Sequence, residues 1–181
     1  MKVIDGFLPP AALVSLREGL LAPGFPWRCV PVLSGEAAQG LTASDNRQWV
    51  HGFVHRRPGV SYGSPTLWML EPVAERLGPV ELLKVKANLT LRRDRHLEYG
   101  LHVDTRRRGA VTGILYLNDN DGYTLFEDGS RIASVANRFV CFDARRRHTG
   151  AACTNAPWRL VLNLNWYGAA LLGAPDGVPS A

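Results

Sequence analysis

Pro157-Trp158-Arg159-Leu160-Val161-Leu162-Asn163-Leu164-Asn165-Trp166-Tyr167 alternates residue by residue between two kinds of side chain. Leu160, Leu162, Leu164 and Trp166 share one face, and Arg159, Val161, Asn163 and Asn165 share the other. A period of two marks a strand buried on at least one side. Two environments fit its polar face. It can meet solvent, or it can line a pocket while the apolar face packs on helices. An arginine aimed into a pocket suits a carboxylate, because its fork donates two parallel hydrogen bonds and keeps its charge.

The same period runs through the chain on either side. In residues 85–92, Val85, Ala87, Leu89 and Leu91 oppose Lys86, Asn88 and Thr90. Residues 111–117 form a further strand, closed by the turn Asn118-Asp119-Asn120-Asp121-Gly122. There Tyr116 shares a face with Ile114 and Thr112, so its hydroxyl is either a second donor to that carboxylate or the tip of a core tyrosine. Short strands follow at residues 123–126, 131–135 and 138–142. Residues 48–55 alternate enough for another strand, and its His51 and His55 have no acidic partner nearby and read as strand or surface histidines.

Before this β-rich part the period is helical. Leu13, Leu16, Leu20 and Leu21 predict a helix over 11–22, and Leu67, Leu70, Val73 and Leu77 predict one over 66–77, started by Ser64-Pro65. Residues 34–46 read as a surface loop and 169–181 as a mobile tail after a single domain spanning 1–168. The expected fold is mainly β with N-terminal helices: a double-stranded β-helix, or jelly roll, backed by two helices.

The totals agree. A chain of 181 residues, 46% hydrophobic and 20% charged, can bury a substantial core. Met1 leads into Val3-Ile4-Asp5-Gly6-Phe7-Leu8 without a secretory signal, and no segment is apolar for the ~20 residues that span a bilayer. Three cysteines (Cys29, Cys141 and Cys153) lack metal-type spacing and read as buried, unpaired thiols of a reducing compartment. The expected location is cytoplasmic.

The chemistry lies in His102-Val103-Asp104 and in His148, within Arg147-His148-Thr149-Gly150. Side chains two apart on an extended segment share a face, roughly 7 Å apart along the backbone. They can converge on one metal if a second histidine arrives from another strand. Two imidazoles and one carboxylate on one side of an octahedral ion leave positions open, the facial triad of non-haem Fe(II) oxygenases.

Taken together, the HVD, ILYLN, GYTLFEDG, NRFVCFDARRRHTG and WRLVLNLNWY segments resemble the prolyl-hydroxylase-like branch of Fe(II)/2-oxoglutarate dioxygenases, and within it the phage-type uncharacterised oxygenases. The resemblance extends to Phe25-Pro26-Trp27 and Lys86-Ala87-Asn88-Leu89 and so covers nearly the whole chain. It implies that His102, Asp104 and His148 hold Fe(II) and that Arg159, helped by Tyr116, binds the distal carboxylate of the cosubstrate 2-oxoglutarate. Tyr99 and Asn88 would line the pocket. It also implies O2 as second cosubstrate, succinate and CO2 as coproducts, and ascorbate as a reductant. One departure is that Arg159 lies one position further from His148 than in many relatives. A one-residue difference in the preceding loop absorbs it. The implied substrate is an amino acid, a peptide or a related small molecule.

Two alternatives have their own signals. Arg92-Arg93-Asp94-Arg95, Arg106-Arg107-Arg108 and Arg145-Arg146-Arg147 adjoin the metal motifs and could track nucleic-acid phosphates. Against this, Asn165 stands where repair demethylases carry a second arginine, and the runs lack interleaved aromatics. A non-catalytic cupin-like binding module would have no use for a carboxylate clamp beside an open metal site. The arginine runs also favour an acidic substrate, by focusing a positive field at the pocket mouth. Oligomeric state leaves no mark in the sequence.

Overall fold

A computed structural model describes residues 1–33 and 40–168. The expected mobile tail, and residues 34–39 of the expected loop, lie outside the described residues. The elements run β1 (Lys2–Ile4), α1 (Pro10–Leu21), β2 (Arg28–Pro31), β3 (Arg47–Arg57), β4 (Val60–Gly63), a 3-10 turn (Leu67–Leu70), α2 (Glu71–Leu77), β5 (Glu81–Leu91), β6 (Ala110–Tyr116), β7 (Tyr123–Phe126), β8 (Arg131–Ala133), β9 (Phe139–Asp143), β10 (His148–Gly150) and β11 (Trp158–Tyr167). The described strands form two sheets. The major one has the order β1-β9-β6-β11-β5-β3-β2, with β4 paired to β3, and the minor one has the order β10-β7-β8.

The alternation of β11 places it between β6 and β5 at the middle of the major sheet. Its apolar face does pack on helices. Leu160, Leu162, Leu164 and Trp166 share one core with Leu13, Leu16 and Leu20 of α1 and Val73 and Leu77 of α2. Each such leucine contributes roughly 1.5–3 kcal/mol by leaving water. On β6 this face includes Gly113, where an added Cβ would lie 2.5 Å from Phe139 and 2.7 Å from Trp166, so the two rings occupy the space a side chain would need. The other face of the sheet meets the minor sheet. Ile114, Tyr116 and Val161 pack there on Phe126, with Ile132 beside them.

The second helix is shorter than the leucine spacing predicts. Pro72 has no N–H to donate, so the ladder divides into the 3-10 turn and α2, with Pro72 in the first turn of α2. Ser64 does not cap that helix. Its Oγ accepts from the Thr66 N–H and lies 3.0 Å from Nε2 of the buried His51, which fixes His51 as a structural residue. Cys141 and Cys153 are buried, but Cys29 is exposed, because β2 is the edge strand of the sheet. Among the described residues no helix is long and apolar enough to cross a membrane.

Candidate metal centre

The second histidine arrives as the HxD spacing requires. His102 and His148 are directly opposed in an antiparallel bridge, each backbone N–H donating to the other's carbonyl at 2.9 Å. That bridge joins the segment after Tyr99 to β10 and brings the two rings to 4.8 Å. Asp104 completes the group. Its Oδ1 lies 4.0 Å from His102 Nε2 and its Oδ2 3.8 Å from His148 Nε2. One donor atom from each of the three side chains lies within 4.8 Å of the other two, close enough to share a metal ion. Access is graded: the side chains are 55% exposed at His102, 14% at Asp104 and 5% at His148.

The tautomers favour ligation. A carbonyl can only accept, so the Arg146 oxygen 3.0 Å from His148 Nδ1 places the ring proton there and leaves Nε2 free to coordinate. Gly100 serves His102 in the same way at 3.4 Å. Burial lowers the His148 pKa, against the opposing pull of Asp104, and so keeps this imidazole neutral at neutral pH. Burial by itself would raise the Asp104 pKa. His148, hydrogen bonds from Thr112 and Asn165, and His102 outweigh it and hold the carboxyl below the ordinary aspartate range. Both groups are therefore in the state that binds a cation.

Thr112 and Asn165 are a matched pair on neighbouring strands. Thr112 Oγ1 donates to Asp104 Oδ2 at 2.7 Å, Asn165 Nδ2 donates to the same oxygen at 3.1 Å, and Asn165 also donates to Thr112 Oγ1 at 2.9 Å. The polar face of β11 thus points inward. Residues that orient a ligating carboxylate typically affect metal affinity by about 10- to 100-fold. Asn165→Ala is expected to weaken Mn(II) or Fe(II) binding within that range with little change in thermal stability, as read by metal titration and calorimetry.

The three side chains border a cavity of about 120 Å³. Arg159 projects into it from β11 and is 7% exposed. Its Nε donates to Ser134 Oγ at 3.0 Å and one terminal nitrogen to Thr124 Oγ1 at 3.3 Å, but no carboxylate among the described residues pairs with it. A buried cation without a counter-charge costs several kcal/mol. Tyr116 is buried behind this arginine and does not line the cavity. Its hydroxyl donates to Thr124 Oγ1 at 2.7 Å, so Thr124, which the sequence reading did not single out, stands where Tyr116 was expected to meet a ligand. Tyr99 does line the cavity, and its buried hydroxyl has no partner among the described residues. Asn88 lines it too, in an amide chain in which Asn163 donates to Asn88 at 3.0 Å and Asn88 to Gln48 at 2.5 Å.

The arginine runs lie further out. Arg106, Arg145 and Arg147 border a shallow depression beside His102. Arg93 and Arg95 approach Asp45, and Arg145 pairs with Asp143 at 2.7 Å. Arg146 pairs with Asp128 at 2.6 Å and stacks over Phe126 at 4.2 Å, which makes it a brace for the minor sheet.

No family model and no curated protein matches the sequence. Solved structures do. An oxidoreductase of the 2OG-Fe(II) oxygenase family from Burkholderia pseudomallei superposes with a TM-score of 0.61 at 14% identity, over 95% of this chain and 85% of that one. HygX from Streptomyces hygroscopicus, solved with nickel, 2-oxoglutarate and hygromycin B, gives 0.57 at 14% identity, over 91% of this chain and 81% of its own. The chain has the fold of the 2OG-Fe(II) oxygenases. A Pseudomonas putida prolyl-4-hydroxylase shares this oxygenase fold, with a TM-score of 0.52 at 16% identity over 92% of this chain and 90% of that one. Within the oxygenase fold of this chain, the His-Asp-His group and Arg159 border the same cavity.

Proposed function

We propose that the protein is an Fe(II)- and 2-oxoglutarate-dependent dioxygenase that hydroxylates a C–H bond of a small-molecule, amino-acid or peptide substrate. The observation that carries this reading is Arg159, a buried guanidinium that pairs with no carboxylate among the described residues and shares one cavity with a half-open triad of metal-type ligands. The two sheets, facing one another across Phe126 and Val161, form the expected double-stranded β-helix in this reading. The donor set suits the metal: two neutral imidazoles and one carboxylate leave open positions on an octahedral ion. Iron, when bound with 2-oxoglutarate and O2, supplies the oxidising chemistry that yields succinate, CO2 and the oxygenated substrate.

The rest is the work of the chain. Arg159 receives the distal carboxylate of 2-oxoglutarate. Thr124 accepts from both Tyr116 and Arg159, so its own proton is free for that carboxylate. Tyr116 thus acts through Thr124, and Ser134 fixes the guanidinium plane through Nε. Tyr99 offers the cosubstrate its hydroxyl, which has no partner among the described residues, and Thr112 and Asn165 would orient the carboxylate for a metal by holding Asp104 through Oδ2. A non-catalytic binding module would have no use for a carboxylate clamp beside an open set of metal-type ligands.

The test is turnover of 2-oxoglutarate without any second substrate. Succinate should form only when Fe(II), 2-oxoglutarate and O2 are all present, and a mass-spectrometric screen of peptides and metabolites should then show a gain of one oxygen. Succinate formation that ignores iron would contradict the proposal.

A further inference from the structure

Arg159 is not the only cation at the cavity. Lys86 lines it from β5, and among the described residues its ammonium has no hydrogen-bond or ion-pair partner. The strand register places it. Ile114, Asn163, Lys86 and Gly52 form one row across β6, β11, β5 and β3, with their side-chain positions on the cavity face. The next row along β11 and β6 holds Asn165 and Thr112, which grip Asp104. Rows on one face are two residues, roughly 7 Å, apart. Lys86 is therefore one row from the metal end, whereas Arg159 stands at the opposite end of the strand.

Gly52 adds a second observation. A Cβ there would meet nothing within 4 Å, so the row ends in open space next to Lys86. A cation beside this open space, with amide groups of Asn163 and Asn88 nearby, suits an anion. Burial first, and then the neighbouring Lys84, lower the Lys86 pKa to about 8, against the pull of Asp104, so the ammonium is still charged at neutral pH.

Resting on the dioxygenase reading, we infer that Lys86, beside the open space at Gly52, binds a carboxylate of the substrate and so holds a nearby carbon over the metal. The substrate class is then a carboxylic acid, such as an amino acid or the acidic end or side chain of a peptide. Arg159 remains occupied by 2-oxoglutarate, so the two acids do not compete for one cation.

The test uses the Mn(II)-loaded protein at saturating 2-oxoglutarate. The probes are N-acetyl amino acids, offered as free acids and as their primary amides. Manganese speeds the proton relaxation of any probe that binds near it. Several free acids should be relaxed in the wild type, their amides on the order of ten-fold less, as loss of a charge-assisted contact implies. Lys86→Met should erase the difference. Gly52→Leu, which occupies the open space beside the lysine and keeps the lysine, should weaken relaxation of the acids. Relaxation of the 2-oxoglutarate protons should persist in both variants, and its absence in the wild type would overturn the dioxygenase reading itself. With that signal present, equal relaxation of acids and amides, none for either, or an acid preference that survives Lys86→Met would overturn the inference.

Discussion

His148→Ala is expected to lose tight Fe(II) binding and all iron-dependent turnover while remaining folded. The side chain removed is the most buried of the three ligand candidates, and its Nε2 faces Asp104 at 3.8 Å. Two ligands, one of them the half-exposed His102, cannot enclose an ion. The loss should exceed the roughly 10- to 100-fold that follows when only an orienting neighbour of a ligand is removed. The fold should persist because β10 is held by backbone: residue 148 exchanges hydrogen bonds with residue 102, and β10 pairs with β7. Metal titration and far-ultraviolet circular dichroism check both halves. Full iron stoichiometry in a folded variant would remove His148 from the site.

Arg159→Met should separate function from stability in the opposite sense. Two parallel charge-assisted hydrogen bonds to a carboxylate together contribute about 3 kcal/mol, so affinity for 2-oxoglutarate should fall on the order of a hundred-fold. Metal binding should be unchanged, because Arg159 touches none of the three ligands. Yet the variant should be at least as stable as the wild type without ligand. It exchanges a buried cation that pairs with no carboxylate among the described residues for an apolar chain, which removes a desolvation penalty of several kcal/mol. A melting temperature well below wild type would mean that Arg159 is held for the fold and not for a ligand.

The two faces of β11 were legible because a ten-residue strand at the middle of a sheet writes them as strict alternation, while the direction of the polar face was left open. The triad was legible for another reason: His102 and Asp104 share a face by spacing alone, and His148 entered through the motif that surrounds it. What stayed hidden comes from short or distant partners. β10 has three residues, too few for any period, so its pairing with His102 left no local trace. Thr124 on β7 and Ser134 just past β8 meet Arg159 across 35 and 25 positions of sequence, and nothing near them announces an arginine. Tyr116 was placed on the correct face, but its hydroxyl stops at Thr124, which lines the cavity in its place. The break at Pro72 could have been read from the missing N–H; leucine spacing alone overrode it.

Calorimetric titration of 2-oxoglutarate, and of 2-oxovalerate, into the Mn(II)-loaded wild-type protein tests the central claim most directly. The two acids share the keto acid that chelates a metal, and only the first has a distal carboxylate for Arg159. The account predicts one 2-oxoglutarate per protein, no binding without metal, and 2-oxovalerate weaker on the order of a hundred-fold. Equal affinity for the two acids, or binding of 2-oxoglutarate that is indifferent to the metal, would contradict it.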